Sequence, residues 1–264
     1  MQNLGTIDNT YTILTLKKEE NDFIIYSARH NQTQELHLIE VYQSPLPANL
    51  MDIMNNLIVL NHPYVIRVIR QGNGPIVLNN QPQVNRPYIV YENVTHSFLD
   101  RHLSNKRLTE NQAKLIFKKI LEGVRAMHNA NLCHRNLNIN NILLDDNYNP
   151  KITGFYYSCM NMNNLRGNVG REENKAPEVL KNQPYDGIKA DIFSLGQILF
   201  NIVTAHFGFT SSASNNAFYK LIRLRNFELY WGFFAQFNLN LSQVFKDLFI
   251  IMVDPVPSER PTKF

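Results

Sequence analysis

The chain has 264 residues, of which 26 are Lys or Arg and 22 are Asp or Glu, for a formal net charge of +4. With 44% hydrophobic and 11% aromatic residues it can bury a substantial core, which excludes a wholly disordered or fibrous protein. The mild positive charge comes without a run of five Lys and Arg, so neither nucleic acid nor an acidic membrane surface is an expected partner.

Asn fills roughly one position in eight in every region without forming a tract, a pattern read as compositional bias. Two cysteines, Cys133 and Cys159, are too few for a disulfide framework and lack metal-ligand spacing, so they read as plain reduced thiols. The first residues lack the basic-then-apolar shape of a signal peptide. No apolar run approaches the ~18 residues of a membrane helix. An intracellular protein, cytoplasmic or cytoskeletal, with no membrane span is the expectation.

In chain order, short runs rich in Ile, Val, Tyr and Phe predict strands at Tyr11–Leu16, Phe23–Arg29, Glu35–Tyr42, Val65–Gln71 and Pro87–Glu92. Gln71-Gly72-Asn73-Gly74-Pro75 reads as a turn between two of them. Leu50, Ile53, Met54, Leu57 and Leu60 recur at helical spacing over Ala48–Leu60, and His62-Pro63 ends that helix. Thr109-Glu110-Asn111-Gln112 is a capping box opening a helix whose apolar face is read as Leu115, Ile116, Ile120, Leu121, Val124 and Met127. A β-type passage follows over Leu132–Thr153, then a long loop, then helices at Ile188–Thr204, Ala217–Arg225 and Leu241–Val253. The pattern is a small strand-rich lobe and a larger helical lobe joined near Glu92–Ser97.

The second lobe carries His134-Arg135-Asn136-Leu137-Asn138-Ile139-Asn140-Asn141, then Lys151-Ile152-Thr153-Gly154-Phe155-Tyr156, Ala176-Pro177-Glu178, Asp191-Ile192-Phe193-Ser194-Leu195-Gly196 and Ser258-Glu259-Arg260-Pro261-Thr262. In this order and spacing they resemble the eukaryotic protein kinase family, of Ser/Thr flavour, over about Tyr11 to Thr262. The resemblance implies an α+β, two-lobed kinase-like fold with a phosphoryl-transfer cleft at the join. It makes 1–264 one kinase-like domain, with an N-lobe of about 1–93 and a C-lobe of about 94–264. With the sequence ending at Phe264, the family's final helix is expected to be absent.

Against the family pattern, the chemistry departs at each station. The segment Leu16–Phe23 has no glycine to admit phosphates and three acidic side chains. Glu40 stands where the strand Lys belongs, and Ile53 where its helix Glu partner belongs, with Asp52 about 100° away around the helix. Asn136 replaces the general-base Asp, and an amide lacks a carboxylate's basicity. Asn138 replaces the following Lys. Gly154 replaces the metal Asp, leaving Asn141 as a lone, weak magnesium ligand.

What remains is architectural by the same resemblance. Leu57, His134 and Phe155 match stacked core positions, Glu178 and Arg260 match a bracing ion pair, and Asp191 matches the residue that caps the catalytic loop. Leu38 in the place of a small Ala is expected to fill the adenine slot between Ile25 and Leu143, with Tyr91 at the back pocket. The expectation is a catalytically inactive scaffold or regulatory module, not an enzyme, without ATP or Mg²⁺, within a multi-subunit assembly of other proteins. The alternative is a nucleotide-binding or unorthodox active Ser/Thr kinase using ATP and Mg²⁺. Phe227, Tyr230, Trp231, Phe233, Phe234 and Phe237 form either a partner surface or rings packed under the helical lobe.

Overall fold

The computed structural model describes residues 4–43, 46–79, 82–94, 99, 108–237, 239 and 241–262. The chain divides into two compact units, Met1–Thr95 and His96–Phe264. Of the join expected at Glu92–Ser97, residues 95–97 lie outside the described residues, as does Phe264.

In the first unit, alternating side chains build six antiparallel strands. These are β1 (Gly5–Ile7), β2 (Tyr11–Glu19), β3 (Phe23–His30), β4 (Leu36–Tyr42), β5 (Val68–Leu78) and β6 (Val84–Glu92). They close into a barrel in the order β1-β2-β3-β4-β6-β5. Ile7, Tyr11, Ile13, Tyr26, Ala28, Ile39, Val41, Tyr88 and Val90 form one apolar cluster of this unit. β1 has no counterpart in the sequence reading, because three residues carry too little alternation to register. It pairs β2 on one side and β5 on the other, and so removes both edges of the sheet.

β5 runs unbroken through Gln71-Gly72-Asn73-Gly74-Pro75, which corrects the expected turn there. The glycines serve close approach instead. A Cβ on Gly72 would stand 2.5 Å from Cζ of Tyr88, and one on Gly74 would overlap the Asp8 carboxylate. Tyr88 Oη donates to Asp8 Oδ2 at 2.6 Å and accepts from Arg70 Nη2 at 2.8 Å. Both glycines therefore make room for one Asp8–Tyr88–Arg70 cluster. Helix α1 (Leu50–Leu60) buries Leu50, Ile53, Met54 and Leu57. It stops one residue before His62-Pro63, at Asn61 in the left-handed region with φ 36°, which Asn tolerates better than most side chains.

The second unit is mainly helical. It comprises α2 (Glu110–Asn129), the hairpin β7 (Ile142–Leu144) with β8 (Pro150–Ile152), α3 (Pro177–Leu180), α4 (Gly187–Thr204), α5 (Ala217–Arg223), α6 (Phe227–Ala235) and α7 (Gln243–Met252). The Thr109–Gln112 capping box is formed at the start of α2. Its buried face is Ala113, Phe117, Ile120, Gly123, Val124 and Met127. Leu115 is 66% exposed, a correction to its expected place on that face: two residues from Phe117 is about 200° around a helix. All of α4 except Ile188 is buried, making it the central element of this unit. Among the described residues no helix is long and apolar enough to cross a membrane.

Candidate functional site

The loop Cys133–Asn141 is held by a carboxylate on α4. Asp191, fully buried, accepts the backbone N–H of His134 through Oδ2 and that of Arg135 through Oδ1, each at 2.8 Å. His128, in the last turn of α2, adds a bond of 2.9 Å to Oδ2; no motif had pointed to it. Burial lowers the His134 imidazole below its usual value, so it is neutral near pH 7. Its Nε2 then donates to Thr153 O at 2.9 Å while Nδ1 accepts the Asn136 N–H at 3.2 Å. The ring lies 5.3 Å from that of Phe155. Arg135 takes a positive φ of 64° and extends its guanidinium to Tyr185 Oη and Arg166 O, at 2.8 and 2.7 Å.

Three amides close the loop on itself. Asn136 O accepts from Asn138 Nδ2 at 2.8 Å and from Asn141 Nδ2 at 2.9 Å. Asn138 Oδ1 in turn accepts the Asn140 N–H at 3.0 Å. Asn138 and Asn141 are buried. Gly154 has φ +84°, and a Cβ there would meet Asn141 Cγ at 2.5 Å, so the amide occupies the space beside the glycine. Asp145 spends its carboxylate within its own turn, on the N–H groups of Asn147 and Asn149 and on Asn149 Nδ2. Among the described residues no group of three or more His, Cys, Asp or Glu could hold a metal ion. This donor set does not fit Mg²⁺ in the family's manner: Asn141 contributes one neutral amide oxygen, and Gly154 contributes no side chain.

In the first unit, Glu40 is fully buried on β4. Tyr42 Oη donates to its Oε1 at 2.7 Å and Tyr91 Oη to its Oε2 at 3.2 Å. Burial pushes its carboxyl up to about 7, against the two hydroxyls and the charge of Lys18. Lys18 pairs with Ile25 across β2 and β3, and Ile25 pairs with Glu40 across β3 and β4, so the three share one face of the sheet. Ile53 is fully buried on α1, and Asp52 beside it is exposed. Leu38, Ile25, Tyr91 and Leu57 are all buried in this unit, and Leu143 is buried on β7 of the other.

Glu178 and Arg260 meet in a bidentate pair, Oε1–Nη1 at 2.6 Å and Oε2–Nη2 at 2.9 Å. Arg260 also donates to Asp254 O and Lys189 O, and its guanidinium lies 4.9 Å over the Phe193 ring. Lys189 was missed by the sequence reading. Buried on α4, it donates its Nζ to Arg260 O at 2.6 Å, and one Lys inside an apolar helix gives no sign of that target. On α6, Tyr230 and Phe234 are buried, which takes these two off the partner-surface alternative and puts them with the packed rings. Spaced i, i+4, they face the rings of Phe200 and Phe249. Phe227 and Trp231 are half-buried, while Phe233 and Phe237 are 40% and 39% exposed.

Sequence comparison places this geometry among known proteins. The family described as protein kinase domain matches residues 18–264. CBL-interacting serine/threonine-protein kinase 17 of Arabidopsis thaliana is 36% identical over 157 residues, 57% of this chain and 34% of that protein. CBL-interacting protein kinase 2 of Oryza sativa subsp. japonica is 29% identical over 243 residues, 89% of this chain and 52% of that protein. The Saccharomyces cerevisiae protein named probable serine/threonine-protein kinase HSL1 is 27% identical over 259 residues, 96% of this chain and 15% of that protein. The chain spans a third to a half of the length of the first curated relatives it matches. These matches overturn two expectations, that the chain is not an enzyme and that it takes no ATP or Mg²⁺. The relatives are named as kinases, and kinase domains work on ATP with Mg²⁺.

Proposed function

The chain belongs to the protein kinase family, and on that premise we propose that it is a nucleotide-binding Ser/Thr protein kinase of unorthodox build, transferring phosphate slowly. The observation that carries this reading is the loop frame, in which Asp191 holds the N–H groups of His134 and Arg135 just before Asn136, the residue that the family resemblance sets in the general base's place. An amide there can orient a hydroxyl but cannot take its proton, and a positioned base contributes ~10²–10⁴-fold. Slow transfer follows from that loss. ATP, when bound, supplies the phosphoryl group. The chain's own part is to hold the acceptor hydroxyl at Asn136. Protein partners belong to the proposal because two of the named relatives are CBL-interacting kinases.

The test combines binding with rescue. Thermal melts with ATP, with and without Mg²⁺, should show stabilisation of ~2.7 kcal/mol at a hundredfold excess over the dissociation constant. Asn136→Asp keeps the side-chain volume and the acceptor that Asn138 Nδ2 uses at 3.2 Å. It should raise phosphate incorporation into a general substrate by ~10²-fold or more. No melting shift at millimolar ATP, together with no gain in Asn136→Asp, would overturn the reading.

A further inference from the structure

Cys133 and Cys159 are 26 positions apart in sequence and directly opposite each other in space. They form an isolated antiparallel bridge. Cys133 N–H donates to Cys159 O and Cys159 N–H to Cys133 O, each at 3.0 Å. Residues that exchange both bonds carry their side chains on one face with Cα atoms about 5.5 Å apart. That lies inside the ~4.4–6.8 Å Cα separation of disulfides, and the bond forms when a twist of this isolated bridge draws the Cβ atoms from about 5.5 Å to about 4 Å. The Cys133 sulfur also leans across the bridge, donating to Cys159 O at 3.3 Å and Asn161 O at 3.9 Å. Gly187 leaves it room there: a Cβ on that residue would stand 2.5 Å from Cys133 Sγ.

The two thiols differ in access. Cys133 is buried and Cys159 is partly exposed. Burial, then the Asp191 carboxylate and the Cys159 thiol, push the Cys133 thiol well above its usual value, so Cys159 meets the oxidant first and Cys133 reacts only as its proton passes to the sulfenic hydroxyl.

We propose that Cys159 and Cys133 form an oxidation site for hydroperoxides that closes an intramolecular disulfide. Peroxide oxygen bonds to the Cys159 sulfur, the O–O bond breaks, and one water leaves, giving a sulfenic acid. The Cys133 sulfur then bonds to the Cys159 sulfur, the S–O bond breaks, and the sulfenic hydroxyl leaves with the Cys133 proton as a second water. Two thiols and one hydrogen peroxide become one disulfide and two waters. The bond joins the residue before His134 to the segment after Phe155, where Ser158 Oγ already donates to His134 O at 3.3 Å. It therefore locks the loop that Asp191 frames.

The full chain, reduced and desalted, is treated with hydrogen peroxide and digested with trypsin without reduction. The expected result is an intact mass lower by two hydrogens and a cross-linked peptide joining residues 126–135 to 152–166, released by dithiothreitol. Cys159→Ser should lose the cross-link completely, and Cys133→Ala should accumulate sulfinic acid at Cys159. Sulfinic acid at Cys159 of the wild-type chain with Cys133 still free, or chains joined to each other through Cys159, would overturn the proposal. The wild-type map decides the matter even where a variant fails to fold.

Discussion

Glu40→Gln separates the charge of a buried carboxyl from its shape. Glu40 is fully buried, and its oxygens accept from Tyr42 Oη and Tyr91 Oη. Burial pushes its carboxyl from an ordinary 4.5 to about 7, with the two hydroxyls and Lys18 acting in the other direction. Because the folded value lies above the unfolded one, folding favours the protonated form. The stability this group contributes is complete below about pH 4.5, falls as pH rises through the window to about 7, and is gone above it. At ~1.4 kcal/mol for each pH unit between those values, ionisation costs the folded state about 3 kcal/mol. Gln cannot ionise, but it leaves one tyrosine hydroxyl facing an NH₂ group instead of an oxygen, a loss of about 1 kcal/mol. The variant should therefore be less stable than wild type by about 1 kcal/mol near pH 4.5 and more stable by about 2 kcal/mol near pH 8. Urea titrations across this range, followed by far-ultraviolet circular dichroism, measure the crossing. Parallel pH profiles for the two proteins would refute the reasoning.

Glu178→Ala leaves the fully buried Arg260 guanidinium without its bidentate partner, and should cost ~3–5 kcal/mol. The single Trp, Trp231, stacks with Phe200 in the same unit and reports this by fluorescence in urea, where a loss under about 1 kcal/mol would remove the pair's bracing role. Gly72→Ala drives a methyl group into Tyr88, and an equilibrium melt should show a loss of ~1–3 kcal/mol from overpacking. Thr109→Ala removes the cap of α2, at ~1 kcal/mol by the same melt.

The helices were legible where a cap or a long apolar stripe announced them. Thr109 and Gln112 mark the start of α2 by chemistry alone, and α4 carries apolar residues on every side between its few polar ones, as an element buried nearly all round does. Leu115 was misplaced because apolar identity does not say which side of a helix a residue takes when several sides carry Leu or Ile. The turn at Gly72–Pro75 was misread for a related reason. Glycine permits both a turn and a close approach, and only the distant Tyr88 and Asp8 decide between them. Asn was read as compositional bias, yet it also takes particular backbone positions. Asn9, Asn61, Asn131, Asn164 and Asn182 adopt positive φ, and Asn216 and Asn226 cap α5 and α6. Both are places where a short polar side chain is favoured.

At the site, motif order names the substituted positions, but residue identity alone does not describe what the substitutes do to one another. An Asp and a Lys in place of Asn136 and Asn138 would carry opposite charges. Amides both donate and accept: Asn138 Nδ2 donates to the Asn136 side chain, and Asn138 and Asn141 both donate to the Asn136 backbone carbonyl. Gly154 then follows from geometry, because Asn141 occupies the space where its Cβ would stand. Both bonds to Asn136 O are made to its backbone, so Asn136→Asp leaves them in place and changes only the side chain that faces Asn138 Nδ2.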